Sequence, residues 1–217
     1  MTAAGVRVGL APNGCCGRAQ ISKGLLDEAR DLAAGNAEAL YSYADAGLPI
    51  VFCEPSCLSA VREDAPMLLR GEARRKAERV ASAARLFEEY VGSIVDALPF
   101  RDGTADVLLH GHCHQKSMGL VPPAQALLSR IPGATVIDLD AGCCGMAGSF
   151  GYTRDHFDVS RAIGERKLFP AIRQRKPGTV IVAGGTSCRH QIAQFTGAEA
   201  VHPAVLLQSL LAASRVT

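Results

Sequence analysis

The run Gly-Cys-Cys-Gly occurs twice in this chain, at 14–17 and at 142–145, and no other feature restricts the fold as much. Each copy is followed at a similar distance by Ser-Cys. Cys57 lies forty-one residues after Cys16, and Cys188 lies forty-four after Cys144. With Cys53 and Cys113 these make up all eight cysteines. Thiolates gathered in this way form the ligand set of a metal or iron–sulfur centre.

The repetition extends beyond the cysteines. Residues 5–10 precede the first Cys-Cys pair and 133–138 the second, and both read as short strands. The β-branched runs at 49–52 and 179–182, bounded by Pro and Gly, precede the two Ser-Cys turns and read as buried strands. Each copy then reads strand, Cys-Cys-Gly turn, helix, strand, Ser-Cys turn, helix. Two copies with a period above one hundred residues point to duplication into two lobes rather than to a solenoid. The expected fold is α/β: two pseudo-symmetric βαβ lobes with largely parallel sheets, the first lacking its N-terminal part. The boundaries are a partial lobe one at 1–70, a connecting helix at 71–104 and lobe two at 105–217.

Within this scheme, residues 72–98 carry Val80, Ala84, Phe87, Val91, Ile94 and Leu98 at helical spacing, and Pro99 ends the run. Residues 105–109 form the next strand and lead into His110-Gly111-His112-Cys113-His114. Pro122-Pro123 opens a helix to Arg130, a second helix covers 156–174, and a last one covers 204–213. In parallel sheets the loops at the carboxyl ends of the strands build the site. Cys113, Cys143, Cys144 and Cys188 each follow a strand, so they are expected to converge on one rim. Lobe one has no counterpart of Cys113. The matching strand and cysteine would lie upstream of Met1, which suggests a fragment of a longer polypeptide or a lobe completed by another subunit.

Composition narrows the class further. With 217 residues, 48% of them apolar, the chain can build a real core and has no need of a disulfide framework. The start of the chain lacks the basic-then-apolar pattern of a signal peptide, and no apolar run approaches a membrane span. The expected setting is cytoplasmic, or peripheral to a membrane through partners. A net charge of +2, with short basic clusters at 74–76 and 173–176 and no aromatic residues between them, argues against nucleic acid as a partner. Those clusters read as solvated helix faces. The segment 142–148 misses the dinucleotide Gly-x-Gly-x-x-Gly spacing, and there is neither a phosphate-loop Gly-Lys-Ser/Thr nor a Gly-x-Ser-x-Gly elbow.

Cys113, Cys143, Cys144 and Cys188 are four soft ligands, enough for a tetrahedral zinc or a four-iron cluster. Gly142, Gly145, Gly148 and Gly151 stand around the Cys-Cys pair at steps of three and would let backbone amides reach the sulfurs. Cys15, Cys16 and Cys57 form the corresponding set in lobe one. Cys53 is the weakest candidate, because Gly184 stands at its place in lobe two. His110, His112 and His114 alternate along a segment expected to be extended, with His112 and His114 on one side and Cys113 on the other. They read as ligands, as hydrogen-bond donors to sulfur or as proton carriers, His112 and His114 foremost; a plain loop role is the blander reading. His190 and His202 read as structural.

The stretch Asp-Ala-Gly-Cys-Cys-Gly-Met-Ala-Gly-Ser-Phe-Gly at 140–151 strongly resembles the cysteine-rich CCG domain family. The resemblance also rests on Leu-Leu-Asp-Glu-Ala at 25–29, Glu-Pro-Ser-Cys at 54–57, His-Gly-His-Cys-His-Gln-Lys at 110–116 and Gly-Thr-Ser-Cys-Arg-His-Gln-Ile at 185–192. That family includes one of the subunits of heterodisulfide reductase, the iron–sulfur subunits of glycolate and lactate oxidases, and one of the subunits of anaerobic glycerol-3-phosphate dehydrogenase. This chain looks most like the iron–sulfur module of FAD-linked D-2-hydroxyacid dehydrogenases. The resemblance implies two pseudo-symmetric CCG domains whose cysteines bind an iron–sulfur cluster, in some members a non-cubane four-iron form. Cys113, Cys143, Cys144 and Cys188 match the cluster motif, and Cys15, Cys16 and Cys57 match its partial copy. The family motif commonly ends Cys-x-x-Cys; here residue 185 is glycine, so a fifth thiolate is lacking and a simpler cluster, or zinc, stays open.

The expected function is therefore an electron-transfer module carrying an iron–sulfur cluster of the 4Fe-4S kind. It would take electrons from a flavin-dependent 2-hydroxyacid dehydrogenase, as in glycolate oxidase or lactate utilisation, and pass them to a quinone or other acceptor. FAD would sit only on that partner domain or subunit, and the chain alone would be inactive. Self-association is expected from an uncovered sheet edge in lobe one. Two alternatives come from other classes: a zinc-stabilised structural module, and a thiol–disulfide oxidoreductase of the heterodisulfide type.

Overall fold

The computed structural model describes residues 1–101 and 106–212. The residues expected to open a strand at 105 and to close the last helix at 213 lie outside that range. The fold is α/β with parallel sheets, and the chain divides into two compact units. The smaller comprises Gly9–Tyr90 and the larger Met1–Val8 with Val91–Thr217.

The smaller unit is built on helix packing. Helix α1 (Arg18–Lys23) follows the first Cys-Cys-Gly turn and leads into the long α2 (Leu26–Asp45). Strand β1 (Ile50–Phe52) runs into α3 (Pro55–Ser59). Glu54 caps α3, accepting from the Ser56 N–H and hydroxyl, and Pro55 takes the first helical position, where a missing N–H costs nothing. A π-helical turn, Ala60–Asp64, continues into α4 (Ala65–Leu68), and α5 (Gly71–Ala83) packs along α2. The core there is alanine-rich: Ala33, Ala37, Ala65 and Ala77 with Leu69, and beside them Leu40, Val61 and Val80. Such small residues let the helix backbones approach closely.

Two sequence expectations about the first hundred residues fail, for one reason. Residues 5–10 form no strand: Gly5 ends a single 3₁₀ turn, Thr2–Ala4, and Leu10 is fully exposed. A strand exists only by pairing, and among the described residues β1 pairs only with a different segment. That partner is β2 (Ala84–Leu86), in parallel register Ile50 to Ala84 and Phe52 to Leu86. The helix expected over 72–98 is therefore interrupted. Helix α5 stops at Ala83, β2 follows, then α6 (Phe87–Gly92) and a 3₁₀ turn, Val95–Ala97. The apolar stripe is real, since Val80, Ala84, Phe87, Val91 and Leu98 are all buried. Burial alone does not distinguish a helix from a helix–strand–helix run; satisfying the edge of β1 does.

The larger unit holds a four-stranded, all-parallel sheet of order β4-β3-β5-β6. Its strands are β3 (Asp106–His110), β4 (Thr135–Asp138), β5 (Val180–Ala183) and β6 (Ala200–Val201). Between them run α7 (Cys113–Ser117), α8 (Val121–Leu128), α9 (Phe157–Glu165), α10 (Leu168–Arg173) and α11 (Thr186–Thr196), with α12 (Pro203–Ser209) last. The single helix expected over 156–174 is two helices. Pro170 supplies no N–H, and its ring opposes the carbonyl of Arg166, so α9 ends at Glu165 and α10 begins anew at Leu168. Phe169, Leu168, Ile172, Ile181, Ile192 and Met146 fill the core. The basic clusters are solvated and paired: Arg74 with Glu78, Lys76 with Glu38 and Glu72, and Arg173 with Glu165.

Candidate metal centre

The carboxyl ends of the parallel strands gather the sulfurs of the larger unit. His110 is the last residue of β3 and pairs in register with Ala183, the last of β5. Cys113 begins α7 three residues beyond β3, Cys143 and Cys144 occupy the loop after β4, and Cys188 is the third residue of α11 after β5. Three strands thus bring four distant cysteines to one rim. The segment after His110 is not extended as expected. His112 caps α7, its Nδ1 accepting the His114 N–H at 3.1 Å, while Gln115 accepts the His112 N–H at 3.2 Å. The His112 and His114 rings nonetheless stack, with centroids 5.5 Å apart.

The four thiols form a chain, Cys113 to Cys143 to Cys144 to Cys188, and their acidities alternate along it. Hydrogen bonds from Cys113 and Cys144 hold Cys143 far below the ordinary thiol range. The Gly145 N–H, 3.3 Å from the Cys143 sulfur, helps. Cys188 is also lowered, first by Cys144 and further by His110 and His112. Cys113 and Cys144 are pushed up, chiefly because each bonds to the Cys143 thiolate. Four sulfurs in contact, two of them buried, cannot all ionise without a cation, so protons stay on alternate members. A soft cation would discharge them together, which is the behaviour of a thiolate metal site.

Backbone and carboxamide contacts set the loop. Gly145 adopts φ 98°, and a Cβ there would stand 2.1 Å from the Ser160 carbonyl oxygen, so only glycine fits. The Gln191 amide donates to the Cys144 carbonyl at 3.2 Å and to the Ser160 hydroxyl at 2.7 Å. Gly185 leaves room for the His112 ring, because a Cβ at 185 would lie 2.2 Å from His112 Cδ2. The absent fifth thiolate thus coincides with an imidazole.

His110 is the residue that sequence reasoning underweighted in favour of its neighbours. It is 1% exposed, and neither ring nitrogen has a hydrogen-bond partner of good geometry. A ring nitrogen of His110 and the sulfurs of Cys144 and Cys188 all lie within 4.8 Å of one another. Among the described residues no other three His, Cys, Asp or Glu donors are gathered so closely. Its place as the last residue of a buried strand was the available signal. Gln191 was missed too, and only its proximity to Cys188 hinted at a role.

The smaller unit holds a different arrangement. Cys16 and Cys57 stand sulfur to sulfur at 3.2 Å, both half-buried, and Cys57 occupies the third position of α3, as Cys188 does in α11. The hydrogen bond from Cys57 lowers Cys16 to about 6, and Arg18 assists; Cys57 is raised in turn by that bond. Arg18 also donates to the Ser59 hydroxyl at 2.7 Å and pairs with Asp64. Asn36 anchors the Cys-Cys-Gly turn, donating to the Cys15 carbonyl at 2.8 Å and accepting the Gly14 N–H at 2.9 Å. Cys15 is exposed. Cys53 is exposed at the end of β1, its thiol raised by partial burial and by Glu88.

The cysteine-rich (CCG) domain family matches residues 1–62 and 107–193, well over half of the chain. One of the subunits of anaerobic glycerol-3-phosphate dehydrogenase from Escherichia coli K12 is 29% identical over 204 residues, covering 94% of this chain and 51% of that protein. The D-2-hydroxyglutarate dehydrogenase of Escherichia coli K12 is 30% identical over 204 residues, covering 93% of this chain and 19% of that enzyme. The enzyme of the same name from Pantoea ananatis is 29% identical, with the same shares covered. The chain therefore spans about half, or about a fifth, of the length of these relatives.

Proposed function

Because the chain belongs to the cysteine-rich CCG domain family, we propose that it is the iron–sulfur electron-transfer module of a dehydrogenase, serving a flavin partner that oxidises a 2-hydroxyacid. The observation that carries the reading is the four-sulfur chain of the larger unit, buried at Cys144 and Cys188 and exposed at Cys113. In this reading Cys113, Cys143, Cys144 and Cys188 hold a four-iron cluster, and Cys15, Cys16 and Cys57 form the set of the second lobe. His112 and His114 then support the rim rather than ligate, since His112 Nδ1 already accepts a backbone N–H. A cluster so held supplies one-electron storage.

The chain's own residues do the rest. The N–H groups of Gly145 and Ala147 point at Cys143 and that of Met146 at Cys144, which stabilises negative charge on sulfur. Gln191 and Ser160 hold the loop rigid, so little reorganises when charge changes. Lys167 donates to the Asp140 carbonyl at 3.0 Å and Lys116 pairs with the Asp140 carboxylate at 3.4 Å, which ties down the approach to the Cys-Cys-Gly turn. The exposed edge at Cys113 is where an electron would enter from the flavin-bearing partner. The two lobes would derive from one duplicated unit, as the matched helix positions of Cys57 and Cys188 support. Eight cysteines outside any disulfide suit a reducing, cytoplasmic setting. Among the described residues no helix is long and apolar enough to cross a membrane, so contact with a quinone would run through partners.

The test is metal analysis after strictly anaerobic purification, followed by mixing with a reduced flavin dehydrogenase. Iron with acid-labile sulfide, bleached on mixing, is the expected result. Stoichiometric zinc without sulfide would defeat it. Zinc is the second reading, because an imidazole among thiolates also matches a structural zinc site.

A further inference from the structure

We propose that His110 is a metal ligand of the larger unit, making its centre a mixed imidazole–thiolate site rather than an all-cysteine one. This rests on the reading of that unit as a metal site. The argument starts from an unmet demand. A neutral imidazole carries one donor and one acceptor, and a buried polar group without a partner costs about 1–3 kcal/mol. His110 is 1% exposed at the end of β3; among the described residues neither nitrogen has a hydrogen-bond partner of good geometry, and the group its ring acts on is the Cys188 thiolate. A histidine kept for packing would spend one nitrogen on a carbonyl; a phenylalanine or leucine would fill the space without penalty. What surrounds the ring instead is sulfur: Cys144 and Cys188, 4% and 2% exposed, with all three donor atoms within 4.8 Å of one another. Two donors on one zinc, at about 2.0 Å for nitrogen and 2.3 Å for sulfur, stand roughly 3.5–4 Å apart, so a small closure of this triad suffices.

The neighbouring histidines do not compete for this role. His112 uses Nδ1 to cap α7, and its ring packs on Gly185; His114 is partly exposed and stacks on His112. His110 alone combines burial, unused nitrogens and two sulfurs at coordination range. Compared with a further thiolate, a neutral imidazole carries one negative charge fewer, which raises the reduction potential of an iron–sulfur centre. Gly185 makes room for the ring of His112, while His110 brings the one neutral donor to a set otherwise made of thiolates.

The test needs no variant at first. Protein grown with ¹⁵N-histidine, purified anaerobically and reduced with dithionite, is examined by pulsed electron paramagnetic resonance. A strong histidine-nitrogen coupling is expected. Its absence from a paramagnetic cluster in the larger unit overturns the ligand assignment while leaving the iron–sulfur reading intact. If the preparation holds zinc and no sulfide, the iron–sulfur reading falls, and zinc-edge absorption decides: one nitrogen among sulfurs supports His110, and an all-sulfur shell overturns it. A larger unit without metal overturns both. Variants then identify the histidine. The strong coupling should vanish in His110→Cys with the cluster retained at a lower midpoint potential, and should persist in His112→Asn, where asparagine still caps the helix. Loss of the coupling in His112→Asn and its survival in His110→Cys would overturn the assignment. His110→Phe guards against misfolding: its metal-free form should unfold at or above the wild-type denaturant midpoint but gain less on metal loading. An unchanged gain on loading would overturn the proposal.

Discussion

The same four residues, Gly-Cys-Cys-Gly, make two different places in this molecule. In the larger unit the loop lies at the rim of a four-stranded parallel sheet, and four thiols and an imidazole meet there. In the smaller unit the sheet has two strands, and the closest encounter is one thiol pair, Cys16 and Cys57, beside Arg18. The tripeptide supplies two sulfurs and a tight turn; the remaining donors come from other strands and helices. A strand that ends in His110 and leads on to Cys113 is what the larger unit has and the described part of the smaller unit does not show. The difference teaches that a cysteine motif sets the chemistry on offer, while the sheet behind it sets how many donors arrive.

The largest effect should follow from removing a buried sulfur of the larger unit. Cys144→Ser or Cys188→Ser should abolish metal binding there, read as metal per chain, and leave any metal on the smaller unit unchanged. Cys16→Ala should do the reverse. Distant sites without shared partners behave additively, so losses that failed to separate would break the comparison.

The glycines come next. Gly145→Ala forces a Cβ to 2.1 Å from a backbone oxygen, whereas at Gly17, also left-handed at φ 79°, the nearest atom would be 3.6 Å away. Gly17→Ala should cost about 1–2 kcal/mol, the left-handed penalty alone. Gly145→Ala should add a backbone clash and cost about 3 kcal/mol or more. Denaturant unfolding of the two variants checks this; equal costs would mean the loops are equally constrained.

Smaller still is a pH effect in the metal-free protein. Cys16 is lowered to about 6 by Cys57, so its thiolate is present above that pH and lost below it. Alkylation of Cys16 should rise with a midpoint near 6, while Cys53 and Cys57, both raised, need alkaline conditions. Removing the hydrogen bond in Cys57→Ala should slow the reaction at neutral pH roughly tenfold, as expected for a thiol returned to its ordinary range. The least effect belongs to Cys53→Ala. It should retain all metal and change stability by about 0.5 kcal/mol or less, as for most exposed positions. Metal loss equal to that of Cys188→Ser would make Cys53 a ligand and bring the two sites closer in kind.

Much of this was legible in the amino acids. The strands at 50–52 and 180–183 follow from β-branched runs between Pro and Gly, those at 106–110 and 135–138 from short apolar segments ahead of the cysteines, and the parallel sheet from their alternation with helices. The convergence of Cys113, Cys143, Cys144 and Cys188 follows in turn, because loops after parallel strands share one edge. Local chemistry is enough for such inferences: turn residues, side-chain period and thiol spacing all act over a few neighbours. Only the tertiary structure decided the rest. Whether 84–86 continues a helix depends on β1, thirty-four residues earlier, which needs a partner. Whether 5–10 is a strand depends on a neighbour it does not have among the described residues. Which histidine faces the sulfurs depends on where β3 ends relative to β5, since a shift of one residue turns a side chain to the opposite face of a sheet. Sequence therefore determined the donors and the framework, and packing determined their company: pairing and burial are properties of groups far apart in the chain, and no local pattern encodes them.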